Sequence, residues 1–191
     1  QQALYDQTII TRRKQILEDL DAPQVHLHIF SLLNSLKQIC NHPSLLSKDL
    51  DNYQDHHSGK WDLFIELLNE ARASGQKLVV FSPFLNMLTI IENHLKANNI
   101  DYATIRGSTK NRKEQIKKFQ TDPNCEVFVA SLKAAGTGIE LTAASIVIHY
   151  DRWWNPAKEN QATDRVHRIG QNRGVQVLSL IHISEPTRLG M

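Results

Sequence analysis

The sequence predicts an α/β fold in which a parallel sheet is flanked by helices, with a helical segment ahead of it. Three observations predict it. Five short apolar, β-branched runs lack the in–out alternation of half-exposed strands, as in strands buried on both faces. Helix-periodic stretches fall between several of those runs, which implies right-handed βαβ crossovers. No internal repeat or low-complexity tract interrupts the series.

The elements follow in order. Leu4 to Leu20 and Leu27 to Ile39 carry apolar residues at helical spacing, and Asn41-His42-Pro43 breaks the second. Asp49 to Gly59 is polar and turn-rich, so it reads as a mobile connector. Ser58 can cap a helix through Trp61, Phe64, Ile65, Leu67 and Leu68 that ends near Gly75. The strand runs are Leu78–Phe81, Tyr102–Ile105, Val127–Ala130, Ile146–Tyr150 and Val175–Leu178, with helices over Leu85–Ala97 and Lys113–Phe119. Residues 1–59 are thus a helical lead-in and connector, 60–178 the sheet domain, and 179–191 an atypical tail that reads as non-native.

A chain of 191 residues suits one such domain with an added helical segment. Hydrophobic content of 41% and charged content of 22% exclude a disordered protein. A net charge of +2 is too small to argue for a nucleic-acid partner by itself, so any such contact must come from local placement of Lys and Arg. Cys40 and Cys125 form no C-x-x-C pair and read as reduced thiols. No run of about 18 apolar residues and no basic-then-apolar start are present, so no membrane partner is expected. The expected location is cytoplasmic, nucleoid-associated if the source is bacterial.

Chemistry concentrates near the C-terminal end. After Trp153-Trp154-Asn155-Pro156 comes Gln161-Ala162-Thr163-Asp164-Arg165-Val166-His167-Arg168-Ile169-Gly170-Gln171. If Pro156 opens a helix, Gln161, Arg165 and Arg168 share one face. Two permanently charged planar forks aimed together suit a transferring phosphoryl group. The alternative is a solvated face with Asp164 and Glu159 as ion-pair partners.

Other loops follow strands, where open α/β sheets gather ligands. Ala135-Gly136-Thr137-Gly138 lets backbone amides approach a phosphate, or is simply a tight turn. Gly107-Ser108-Thr109 can hold a phosphate, or start the next helix. Lys110, Arg112, Lys113, Lys117 and Lys118 form a basic run that either touches DNA or is a solvated face. Trp153 and Trp154 read as one stacking platform and one packing residue. Nine histidines match no zinc ligand spacing, so no metal site is assigned to this chain. Gly59-Lys60 is the only Gly-Lys pair and lacks P-loop spacing, and no Asp-Glu doublet follows an apolar strand.

The block from Trp153 to Gln171 resembles motif six of the Swi/Snf-type DNA-dependent ATPases, the double-stranded-DNA translocases of helicase superfamily two. Lys77 to Ser82, Gly107-Ser108-Thr109 with Arg112, and Ser131 to Thr142 are similar to that family's motif four, its following G-S-T turn and its motif five, in the same order. Leu36 to Pro43 resembles the stretch just ahead of the lobe's core, and the wording looks like bacterial members.

The resemblance implies a RecA-like C-terminal helicase lobe. It implies that Arg165 and Arg168 act as arginine fingers beside Gln161, with nucleotide near Gly138, Glu140 and Asp164. Contacts to the double-stranded DNA backbone fall to Ser82, Gly107, Ser108, Thr109, Ser131, Lys133, Gly136 and Trp153. ATP and its Mg²⁺ are then captured by an N-terminal RecA-like lobe of the same protein, and this chain alone is expected to be inactive. Three positions depart from the commoner family wording: Ala135 for Gly, Glu140 for Asn, and Arg106 for an acid. Two other readings remain: a lobe of a strand-separating helicase, and a non-catalytic DNA-binding scaffold. Gly170-Gln171 and the Trp-Trp-Asn-Pro corner favour the translocase.

Overall fold

The computed structural model describes residues 1–18, 25–135, 138–152, 155–167 and 174–180. The chain divides into two compact units, Gln1–Asp62 and Leu63–Met191.

The first unit is helical. Helix α1 (Gln2–Glu18) and helix α2 (Val25–Asn41) run antiparallel, because Gln1 Nε2 donates to Ile39 O at 2.7 Å while Arg12 Nη1 donates to Ser31 Oγ at 3.0 Å. Helical spacing located both helices, yet Ile10, Leu17, Leu27 and Phe30 point outward. Pro43 ends α2's run and a single turn, α3 (Ser44–Ser47), closes on Lys48 in the left-handed region. The polar stretch 49–59 is mostly exposed, with Tyr53 and Ser58 buried. Its short 3₁₀ turn Tyr53–Asp55 buries Tyr53 edge-on against Trp61, with ring centroids 5.4 Å apart. The Ser58 hydroxyl, expected as a helix cap, donates to Asn41 O at 3.3 Å.

The second unit holds the sheet. Its strands are β1 (Leu78–Ser82), β2 (Tyr102–Ile105), β3 (Val127–Ser131), β4 (Ile146–His149) and β5 (Gln176–Ser179). All neighbours pair in parallel, in the order β2-β3-β1-β4-β5. The central strands β1, β3 and β4 are buried along their whole length, as their unbroken apolar runs require. The outer two differ from that expectation because they are edges: β2 alternates, and β5 leaves Val177 45% exposed. Ser179 belongs to β5, and the buried Leu180 donates its N–H to His149 O, so the sheet extends two residues into the segment set apart as a tail. Residues 181–191 lie outside the described residues.

Helix α4 (Gly59–Ala73) ends on Gly75 at φ +63°, with Gln76 N–H bonded to Ala71 O and Gly75 N–H to Arg72 O. Helices α5 (Leu85–Ala97) and α6 (Arg112–Thr121) make the first two crossovers. A one-turn helix α7 (Leu132–Ala135) follows β3, and α8 (Pro156–Thr163) follows β4. Phe81, Phe119 and Phe128 are fully buried around the sheet, each contributing about 2 kcal/mol over an exposed position. The connection leaving β1 turns toward β2 and the one leaving β4 toward β5, so the connections of these paired neighbours diverge beyond their carboxyl ends, where open α/β sheets form a crevice.

Candidate functional site

The carboxyl ends of the strands carry the motif residues. Ser82 and Ser131 are the last residues of β1 and β3 and lie opposite each other in register. Both are buried. Ser82 Oγ donates to the buried Asp151 carboxylate at 2.8 Å and accepts the Phe84 N–H, while Ser131 Oγ accepts the Ala134 N–H at the start of α7. Their hydroxyls therefore shape the edge, and a nucleic-acid strand would meet the loops that they set.

Those loops are exposed. Gly107 and Ser108 form the tip of a turn closed by Thr109, whose N–H donates to Arg106 O while its Oγ accepts the Arg106 N–H at 2.9 Å. A Cβ on Gly107 would meet nothing within 4 Å. Asn111, not a residue of the Gly-Ser-Thr turn, stands at the helix N-cap. Arg106, which looked like added positive charge, is ion-paired to the nearly buried Glu92 at 2.8 Å and also donates to Thr89. Of the basic run, Lys110, Lys113 and Lys117 are exposed. Arg112 donates to Ala134 O at 2.6 Å and Lys118 pairs with Asp101.

Residue Lys133 is exposed on α7. The chain re-emerges at Gly138, where φ is +54° and the side-chain space is open. Glycine is needed there because an L side chain resists that conformation. Glu140 is exposed and its carbonyl accepts from Gln120 Nε2 at 2.8 Å. Next to it, Leu141 N–H donates to Arg165 O at 2.9 Å. The loop that follows β3 thus holds the backbone of the arginine segment.

Helix α8 opens as its sequence demands. Asn155 caps it by accepting the Ala157 N–H at 3.0 Å, and Pro156 takes the first helical position. The helix stops at Thr163, earlier than a face running to Arg168 requires. Arg165 and Val166 donate to carbonyls three residues back, which tightens the end into turns. Ala162 and Val166 enter the core, Gln161 and Asp164 face out, and Arg165 is half-buried. Behind them, the buried His149 ring stacks on Phe81 and meets Thr163 Oγ1 at 2.9 Å, with burial pushing its pKa down. Arg168, Gly136 and Trp153 lie outside the described residues.

Arg165 bears on both readings of this helix. Glu159, the first carboxylate offered to it, is buried with Arg152 at 3.3 Å. Asp164 is exposed and makes no ion pair with Arg165. Arg165 Nε is buried with no hydrogen-bond partner among the described residues. A buried guanidinium N–H without an acceptor is costly, and an anionic oxygen supplies what it lacks. No group of three or more His, Cys, Asp or Glu among the described residues could hold a metal ion. The donors here fit a phosphate and not a cation.

A cavity of about 830 Å³ lies at the opposite, amino edge of the sheet, among Arg72, Gln76, Lys77, Glu126, Ser145 and Gly174. Lys77 and Thr142, at the ends of two of the motif stretches, line it, but none of the described residues assigned to nucleotide or DNA does. Sequence reasoning missed the role of Gln120 and the Arg112–Ala134 bond. Both act on backbone atoms of a distant loop, and no residue spacing signals such a contact.

Residues 59–170 match the helicase conserved C-terminal domain family. The chain is 41% identical over 182 residues to an uncharacterized ATP-dependent helicase of Mycoplasma genitalium, covering 94% of this chain and 17% of that protein. It is 37% identical over 185 residues to the putative ATP-dependent helicase/translocase YwqA of Bacillus subtilis, covering 95% of this chain and 20% of that one. The chain therefore spans about a fifth of the length of these relatives. Among solved structures, the Sulfolobus solfataricus SWI2/SNF2 ATPase core in complex with dsDNA superposes with a TM-score of 0.73 at 37% identity, covering 93% of this chain and 37% of that one.

Proposed function

We propose, from the premise that the chain belongs to the helicase conserved C-terminal domain family and is the C-terminal lobe of a Swi/Snf-type ATPase, that it serves as the second motor lobe of an ATP-dependent double-stranded-DNA translocase that remodels protein–DNA complexes. The observation that carries this reading is the buried, unpartnered Nε of Arg165, held in place through its carbonyl by Leu141. In this account Arg165 and Arg168 approach the γ-phosphate of ATP, with Gln161 beside them and Gly138, Glu140 and Asp164 lining the nucleotide side. A permanently charged planar fork stabilises negative charge that grows on the transferring group, which is differential binding of the transition state.

DNA lies along the other loops. The exposed Gly107 and Ser108, with Thr109, Lys133, Gly136 and Trp153, meet backbone phosphates, contacts that position without reading sequence. Ser82 and Ser131, being buried, hold the turns at Phe84 and Ala134 beside the sheet edge. No described helix is long and apolar enough to cross a membrane. The work is assigned to the cytoplasm, on the nucleoid in a bacterial cell.

No P-loop and no Asp-Glu doublet after an apolar strand is present in the sequence, so the γ-phosphate and Mg²⁺ are captured by residues of an N-terminal lobe. Closure of one lobe on the other brings Arg165 to the phosphate, and reopening after hydrolysis advances the DNA. Isolated, the chain does not turn over ATP. The test is ATPase of the two-lobe protein with and without duplex DNA, beside a strand-displacement assay. DNA-stimulated turnover without strand separation supports a translocase, and strand separation turns the reading to a helicase.

A further inference from the structure

Helix α6 touches both ends of the loop that follows β3. Near its start, Arg112 Nη2 donates to Ala134 O at 2.6 Å. Near its end, the Gln120 side chain makes three hydrogen bonds to the far limb of the loop. Nε2 donates to Glu140 O at 2.8 Å and to Thr142 Oγ1 at 3.3 Å, and Oε1 accepts the Ala143 N–H at 2.9 Å. The residue enclosed by these three contacts is Leu141, whose own N–H holds Arg165 O.

We infer that Gln120 is a positioning residue for the arginine finger: it clamps residues 140–143, and through Leu141 it fixes where Arg165 sits. The inference rests on the finger reading given above. The chain enters this limb through Gly138, at φ +54°, where an added Cβ would meet nothing within 4 Å. The amide at position 120 both donates to the Glu140 carbonyl and accepts from the Ala143 N–H. The same helix starts just past the Gly107–Thr109 turn, with Asn111 at its N-cap.

The test uses the two-lobe protein with Gln120→Met, which deletes all three bonds at similar length, and Gln120→Glu, which keeps the acceptor but sets a carboxylate against Glu140 O. A displaced finger lowers kcat about 10- to 100-fold at saturating DNA. KM for ATP, ADP affinity and the thermal midpoint stay near wild type, while affinity for ADP with aluminium fluoride weakens by the same factor as kcat. If both variants keep kcat within about twofold while Arg165→Ala is inactive, the clamp is refuted and the finger stands. A loss of ADP affinity and thermal midpoint in step with kcat refutes it too, since the contact is then only structural. Normal turnover by Arg165→Ala removes the finger reading and the inference with it.

Discussion

Ser82, the last residue of β1, donates a 2.8 Å hydrogen bond to Asp151, two residues beyond β4, and both side chains are buried. The bond joins the two strands whose connections part, so it closes the root of the crevice around which the motif loops are arranged. Ser82→Ala removes a donor from a buried carboxylate and should cost about 1–3 kcal/mol. Urea unfolding checks this. A stability within about 0.3 kcal/mol of wild type would mean that the bond has no structural weight.

The pairing of Arg106 with Glu92 separates two kinds of cation at this edge. Lys133 is exposed, so its removal should reduce the slope of log affinity against log salt by about 0.9 in a DNA-binding titration. Arg106→Gln should leave that slope unchanged, because its charge is already matched by a carboxylate. Equal slope changes for the two variants would contradict the assignment.

His42 gives the fold a dependence on pH. The ring is buried against Trp61 and Tyr53, and burial, aided by the nearby His56, lowers its pKa to about 4. The unfolded chain therefore binds a proton that the folded chain refuses between about pH 6.5 and 4. The stabilisation is complete above the upper value and is lost as the pH falls through that window. The neutral ring accepts the Ser44 N–H on Nδ1, so its proton sits on Nε2. His42→Gln should flatten the unfolding midpoint across this range, measured by urea titration at several pH values. A wild-type midpoint that is level between pH 4.5 and 6.5 would contradict it.

Much of this molecule is legible in its sequence, for physical reasons. Residues 78–81, 127–130 and 146–149 are unbroken apolar runs because these strands are covered on both faces, and such runs are hard to mistake. Asn155 and Pro156 announce the start of α8 through local cap chemistry alone. What is hidden depends on distant partners. The charge on Arg106 looks free until Glu92 is brought to it from α5, and Gln120 looks like an ordinary surface amide until the loop at 140–143 is folded onto it. The early stop at Thr163 is equally silent, because neither glycine nor proline stands among Asp164, Arg165, Val166 and His167 and the tightening comes from the turn itself.

The central claim is that Arg165 completes a phosphate site. Arg165→Ala, in a protein carrying both lobes, should reduce DNA-stimulated ATP hydrolysis by about 10³-fold or more while duplex-DNA binding persists. Turnover within a few-fold of wild type, with the same DNA affinity, would contradict it.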